Sequence, residues 1–318
     1  MARRSPARVI GGRLLQALPV ILLATFMVFA LLKLVPGDIA VTLAGDNATD
    51  ARVAEIRKVY GLDRPFLVQY GSWLAKAAQG DLSQSLLTGE KVATSIGRAF
   101  PNTLLIVAIA LIIALVTGIP MGVVAAIKPN GWVDKTVSAI ASLGVAIPGF
   151  WLAMILVAEI SLKLNWLPAT GAKSFAVSPW EAIRHALLPG IAIAAYGMAE
   201  VARQLRGSLL EVLSSQYVRT LHAKGLSMSR ILWQHGLKNV AVNLFTIIST
   251  LVNRMLAATV VIEAVFAIPG MGSLIVRGAI QRDFPIVQGV VFAMVIVVIL
   301  VNLIADLLCA AVDPRIEQ

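Results

Sequence analysis

Six stretches of this chain run for about the width of a bilayer almost without charge, and no other feature narrows the fold so far. They are Leu14–Leu32, Ala99–Ile127, Thr136–Ala158, Ala186–Ala199 (extending past Glu200 toward Ala202), Val240–Ile262 and Phe284–Ala305, with Arg254 the one charge inside the fifth. A spanning helix needs about 20 apolar residues, because the hydrocarbon core is about 30 Å thick and each residue rises about 1.5 Å. Composition agrees. Residues are 58% hydrophobic and 14% charged, against about 25% charged in ordinary soluble domains. The expected fold class is all-α, a polytopic membrane protein with six transmembrane helices. With Cys309 as its single cysteine, the chain cannot be a disulfide scaffold.

The first apolar run follows Arg3, Arg4 and Arg8, the pattern that also begins a secretory signal. Its apolar length exceeds the usual ~7–15 residues of such signals, and no small-x-small cleavage site follows. It reads as a retained anchor.

Orientation follows from where Lys and Arg sit, since short cytoplasmic loops hold the basic excess. Arg3, Arg4, Arg8 and Arg13 precede the first span, and Lys128 and Lys135 flank the loop after the second. Between the fourth and fifth lie Arg203, Arg206, Arg219, Lys224, Arg230 and Lys238 against Glu211 alone. The segment from Lys33 to Arg98 is nearly balanced, with eight basic and seven acidic residues. Both termini are expected in the cytoplasm. Topology accounts for most of the formal charge of +10, so nucleic acid is not an expected partner. The expected layout is a cytoplasmic N-terminus (1–13), a first span (14–34), an external helical segment (35–98), a five-helix core (99–308) and a cytoplasmic C-terminus (309–318).

Two amphipathic helices are expected in the external segment. Val53, Ile56 and Tyr60 recur at helical spacing, with Asp50 as N-cap and Gly61 as stop; Phe66, Tyr70, Trp73 and Ala77 follow Pro65. The cytoplasmic segment 203–239 is more informative. Two helical stretches meet at Gly225, a residue that tolerates positive φ. Leu226, Ile231, Leu232 and Trp233 place apolar side chains where a solvated loop would be polar. Such a helix–Gly–helix unit suits docking into a partner's groove better than folding back on its own bundle.

Inside the spans, Arg254 requires a partner helix or a wet pathway, because a mid-span charge costs about 2.5–3.5 kcal/mol on insertion scales. A gate residue and a packing pair are equally good readings of it. Pro148 and Glu263 are the other pathway or gate candidates. Pro120, Pro148 and Pro189 are each expected to kink a helix, though Pro can also break one beside a cavity. Glu159, Glu200 and Asp306 belong to helix ends. The Gly118-x-x-x-Gly122 spacing permits close helix contact. His185, His222 and His235 lack ligand spacing, so no metal site is expected.

Tyr217–Asn239 resembles the cytoplasmic "EAA" loop of permease subunits of ABC importers, in the dipeptide, oligopeptide and nickel group. Further segments agree in order: Pro36-Gly37-Asp38, Tyr60-Gly61-Leu62-Asp63-Arg64-Pro65, Gly80-Asp81-Leu82-Ser83-Gln84-Ser85, Pro101-Asn102-Thr103-Leu104, Ile147-Pro148-Gly149-Phe150-Trp151, Leu167-Pro168-Ala169-Thr170-Gly171, Glu263–Gly272, Arg282-Asp283-Phe284-Pro285 and Asp313-Pro314-Arg315. The long segment after the first span is similar to that of the B-type subunit. Departures are Arg219 in place of an acid, Leu221 in place of a small residue, Asn243 in place of a proline and Ala257-Ala258 in place of glycines.

This resemblance implies a type I importer permease fold in the bacterial cytoplasmic (inner) membrane. The expected partners are a second permease (a heterodimer), two cytoplasmic ABC ATPases, an external solute-binding protein and the lipid bilayer. ATP and Mg would bind the ATPases, and no cofactor this chain, which lacks a G-x-x-x-x-G-K-[ST] phosphate cradle. The implied coupling residues are Tyr217, Arg219, Thr220, Ala223, Lys224, Gly225, Leu226, Ile231, His235 and Asn239. Cargo in such a family includes di- and oligopeptides, nickel complexes, glutathione and sugars. A stand-alone secondary carrier is the alternative, although no internal repeat is evident. A membrane enzyme would need a catalytic cluster, and none appears.

Overall fold

A computed structural model describes residues 6–34, 39–44, 49–59 and 61–312. Pro36-Gly37-Asp38, Tyr60 and Asp313-Pro314-Arg315, like Arg3 and Arg4, lie outside the described residues, as do both chain ends whose side of the membrane was read from charge. The described residues form helices α1 (Pro6–Leu34), α2 (Ile39–Ala44), α3 (Asp50–Val59), α4 (Phe66–Ala78), α5 (Val92–Ile127), α6 (Trp132–Ala146), α7 (Gly149–Leu156), α8 (Pro179–Leu213), α9 (Gln216–Ala223), α10 (Met228–Ile231), α11 (Leu237–Val265), α12 (Met271–Ile280) and α13 (Phe284–Val312). Pairing in strand fashion is limited, among these residues, to the isolated bridge Gln84–Lys91.

The chain divides into two compact units. One holds Pro6–Pro101 and Gly270–Ile299. Here α1 and α4 meet through Phe26, Phe29, Phe66 and Tyr70, whose rings stand edge to face with centroids 5.3–5.6 Å apart, an arrangement favoured by the ring quadrupoles. The Tyr70 hydroxyl donates to the Leu22 carbonyl at 3.1 Å, and Trp73 packs edge-on against Phe292. Helix α4 therefore buries the stripe expected of it. At α3 the expectation needs correction. Helix α3 starts at Asp50, and its cap is Thr49, whose hydroxyl accepts the Arg52 N–H at 3.4 Å. Gly61 follows the helix at φ +64°. The loop 81–91 is pinned by Asp283, which accepts Ser85 Oγ at 2.5 Å and the Leu86 N–H at 3.1 Å.

The other unit holds Asn102–Pro269 and the chain from Leu300, and α8 runs through its middle. Small residues let the neighbours approach closely. A Cβ on Gly118 or Gly122 of α5 would fall 2.8 Å from the Met198 or Ala202 carbonyl oxygen, and one on Gly144 of α6 2.8 Å from that of Ala195. The G-x-x-x-G spacing is thus a packing device.

Two spans differ from expectation. The fourth, expected to be short, is a helix of 35 residues. Four of its charges are matched locally: Arg184 pairs with Glu181 and Arg203 with Glu200, each three residues apart. The third is broken. Helix α6 ends at Ile147, which is extended at φ −78°, ψ 121°, the region to which the residue before a proline is driven. The chain resumes as Gly149–Lys163, turned by 94°. Pro148 therefore breaks the span and does not merely kink it. Val157–Lys163 is wound as a π-helix. Among the described residues, the other five spans are continuous helices long and apolar enough to cross a membrane, and the bent pair counted as one makes six.

Candidate functional site

The turn at Gly225 is built from its sequence neighbours. Ser215 caps α9, its hydroxyl accepting the Val218 N–H, and Ser227 caps α10 in the same way through Arg230. Gly225, at φ +80°, lets the Leu226 N–H reach back to the Leu221 carbonyl at 3.2 Å and its own N–H to that of His222 at 2.9 Å. This pair of bonds, with an apolar contact between the residues on either side, is the Schellman arrangement of a helix end. Leu221 and Leu226 belong to one apolar cluster with Val218 and Ile231. Leu221 is the inward anchor of the turn, which is why a bulky residue fits where a small one was expected.

The cluster sorts the expected coupling residues. Tyr217, Arg219, Thr220, Ala223, Lys224, Gly225 and Asn239 are exposed, and Leu226 and His235 are half-buried. Ile231 is fully buried and cannot meet a partner. Leu232 is buried as well, so of the four apolar residues expected to dock, Trp233 alone is exposed. The Tyr217 hydroxyl and His235 Nδ1 lie 2.9 Å apart and tie α9 to the π-helical turn Leu232–Gly236 ahead of α11.

A second clamp lies where α6 meets α8. Arg206 grips Asp134 with two hydrogen bonds, Nε to Oδ1 at 2.5 Å and Nη2 to Oδ2 at 2.7 Å. Asp134 also accepts the Asn130 N–H at 2.8 Å. Two-pronged charged contacts of this kind are directional and strong. Arg206 carried only topological meaning in the sequence, and Asp134 carried none. Proximity across 72 residues leaves no local signal.

The broken span opens a cavity of about 360 Å³, walled by residues of α6, α7, α8 and α11. Pro148 and Arg254 both line it, so the structure brings together two residues singled out from sequence. Tyr196 joins them: Arg254 Nη1 donates to its hydroxyl, and the guanidinium lies 5.5 Å from its ring centroid. The remaining lining is apolar, including Val145, Ile193 and Ile262. Arg254 is the only charged residue among the lining residues.

Glu263 is a correction. It is wholly buried and accepts the hydroxyl of Thr103, itself buried, at 2.6 Å. Its backbone carbonyl accepts the Ile268 N–H, and Asn102 Nδ2 donates to the Pro269 carbonyl at 2.9 Å. Glu263 fixes the turn after α11 and does not line the cavity. A polar cluster that sequence reading missed joins α11 to α13: Ser249 Oγ and Asn253 Nδ2 both donate to Asn302 Oδ1, at 3.2 and 3.0 Å.

Residues 118–318 match the family described as the binding-protein-dependent transport system inner membrane component, and residues 7–117 match its N-terminal region. The chain belongs to this family. The permease is 37% identical over 96% of its length to a putative peptide transport system permease protein of Brucella abortus (strain 2308), covering 97% of that protein. It is 35% identical to the oligopeptide transport system permease protein AppB of Bacillus subtilis (strain 168), over 96% and 98% of the two chains. The glutathione transport system permease protein GsiC of Escherichia coli O6:H1 (strain CFT073) is likewise 35% identical, over 96% and 97%. In fold, the permease resembles a chain of the inward-facing MetNI methionine ABC transporter, with a TM-score of 0.58 at 19% identity, over 69% of this chain and 96% of that one. The permease is thus a multi-pass inner-membrane subunit of a binding-protein-dependent ABC importer, and the match gives no support to a stand-alone carrier.

Proposed function

We propose that this permease forms half of the pathway for di- or oligopeptides, or a similar small solute, beside a second permease. Two cytoplasmic ATPases supply the drive and an external binding protein the cargo. In this reading the chain itself catalyses no reaction and holds no cofactor; ATP and Mg reside on the ATPases. Both termini and the α9–α10 turn face the cytoplasm. The observation that carries the assignment of the docking surface is the turn itself. Val218, Leu221 and Ile231 fasten it inward, while Tyr217, Arg219, Thr220, Ala223, Lys224 and Gly225 are left outward. Nucleotide-driven closure of the ATPases would shift the turn, and α11, which follows it, would carry the shift to the Pro148–Arg254 cavity. Such coupling needs a bundle with two states that the two sites bias differently. The cargo reading is supported by relatives named for peptide transport.

The test is affinity purification from the native host in mild detergent, with mass spectrometry of what stays bound. Recovery of ATPase chains and a second six-span permease is the expected result. A chain recovered alone in several detergents, with an ATP analogue present, would overturn the assembly. Screening the associated binding protein for ligands then decides the cargo, and a ligand without a peptide bond would overturn that part.

A further inference from the structure

We infer that the cavity beside Pro148 receives the terminal carboxylate of a transported peptide, with the Arg254 guanidinium as its counter-charge. This rests on the pathway reading above and names the chemistry of its site. Arg254 stands near the middle of α11, in a helix long and apolar enough to cross a membrane. It is exposed and lines the cavity. A charge at that depth is costly and calls for a counter-charge or water. Among the described residues its polar partner is the Tyr196 hydroxyl, which is neutral. A guanidinium carries five N–H donors and no acceptor, so one hydroxyl leaves the charge uncompensated and most of the donors unmet. No acid lines the cavity. Glu200, one turn beyond Tyr196 on α8, is held by Arg203 and Gln204, and Glu263 accepts the Thr103 hydroxyl.

The break in the third span adds a second source of positive potential. Helix α7 begins at Gly149, halfway along the bent pair Trp132–Lys163. Pro148, at its N-cap, has no side-chain acceptor to offer, no other side chain caps the helix, and no acid stands in its first turn. The first N–H groups of a helix have no partner within it and carry a partial positive charge. Gly149 and Phe150, the first two residues of α7, both line the cavity. Half-helices that begin within a membrane and face anionic substrate groups use the same physics. The Tyr196 hydroxyl, accepting from Arg254, keeps its own proton to donate. Guanidinium, hydroxyl and helix start thus share one space, and all of them donate.

Size and lining select the ligand. A volume of about 360 Å³ lies at the small end of the ~300–1,000 Å³ usual for ligand pockets, so the space suits the end of a peptide and not its whole length. Ala192, Ile193, Ala258 and Ile262 make much of the remaining wall apolar, which suits the last side chain and offers no carboxylate to an N-terminal ammonium. A carboxylate also matches the two-pronged geometry of a guanidinium. Every unblocked peptide presents that group at its C-terminal end, so Arg254 would recognise the class of cargo without reading its sequence.

The test is photolabelling of the detergent-solubilised permease complex by a dialanyl-benzoylphenylalanine tripeptide, as the free acid and as the C-terminal amide, with labelled residues found by mass spectrometry. The free acid is expected to label the cavity walls at a concentration roughly tenfold or more below that needed for the amide, given the strength of hydrogen bonds to charged groups. In Arg254→Gln the free acid should fall to the level of the amide. In Arg254→Lys, which keeps the charge, it should lie between the two. Should Arg254→Gln fail to assemble, the acid–amide difference in the unaltered complex and in Arg254→Lys still decides. Equal labelling of the cavity by acid and amide would overturn the carboxylate site and leave the pathway reading standing. Labelling by both peptides only outside the cavity would overturn the pathway reading and the proposal with it. Loss of the second permease from Arg254→Gln, with the acid–amide difference unchanged, would overturn the proposal and assign the guanidinium to an acid of that partner.

Discussion

Replacing Gly225 with a set of residues separates the backbone of the α9 turn from its surface. The residue sits at φ +80°, where an L side chain costs roughly 1–2 kcal/mol. A Cβ built there meets nothing within 4 Å, so no steric term adds to the backbone one. Gly225→Ala is therefore expected to weaken the turn by about 1–2 kcal/mol, a factor of about 5–30 in its local equilibrium. Gly225→Asn should lose less, because Asn adopts left-handed conformations more readily. Gly225→Trp carries the same backbone penalty as Ala and adds a bulky ring on the outward face. Binding-protein-stimulated ATP hydrolysis and uptake, measured in proteoliposomes alongside ATPase co-purification, should be reduced modestly in Ala. In Trp, uptake and co-purification should be lost, at a melting temperature close to that of Ala. If the Trp variant retains ATPase and uptake at the level of Ala, the outward face of this turn is not where the ATPase docks.

Three other perturbations follow from the packing. Asp134→Asn or Arg206→Gln leaves a charge without its partner in a site where Asp134 is 4% exposed and Arg206 28%. A loss of about 2–4 kcal/mol is expected for each, and thermal melting of the double variant should show less than the sum. Gly144→Ala would press a methyl group 2.8 Å from the Ala195 carbonyl oxygen and should destabilise by about 1–3 kcal/mol. Gly207→Ala, more than three turns further along α8, where a Cβ meets nothing within 4 Å, should instead stabilise by about 0.4–1 kcal/mol. Glu263→Ala removes the buried carboxylate that accepts the Thr103 hydroxyl and should lower the melting temperature through a loss of about 1–3 kcal/mol. Glu263→Gln, which keeps an acceptor oxygen, should lose less.

Most of the spans were legible because a bilayer accepts little charge, so long apolar runs have few other uses. Helix α8 was shortened in the reading by Glu200 and Arg203, since their matching at three residues is a property of the helix and not of composition. The break at Ile147–Pro148 was ambiguous for a related reason. Proline removes one donor wherever it stands, and only the neighbouring packing decides whether the helix bends or stops. Gly225 was legible as a special backbone position, whereas the direction of Ile231 was not. Burial of Ile231 depends on Val218 and Leu221 of α9, against which it packs across the turn. Glu263 looked like a pathway acid because its partner Thr103 lies 160 residues away. Arg254 was conspicuous, but Tyr196 lies 58 residues earlier and had no periodicity to mark it.

The broken third span also bears on how this permease holds together in the bilayer. Helix α6 has 15 residues, about 22 Å of rise, and Gly149–Lys163 is of similar length. Neither half reaches across about 30 Å of hydrocarbon, and a turn of 94° keeps them from adding end to end. The backbone at Ile147 must be shielded from lipid by protein or line a wet cavity, as it does here, and the neighbour against which α6 packs at Gly144 is α8, some 50 residues later in the sequence. A chain cut before Pro179 is therefore expected to lack the α8 surface on which Gly144 packs, and the two half-helices of the third span should be less resistant to proteolysis there than in the full chain.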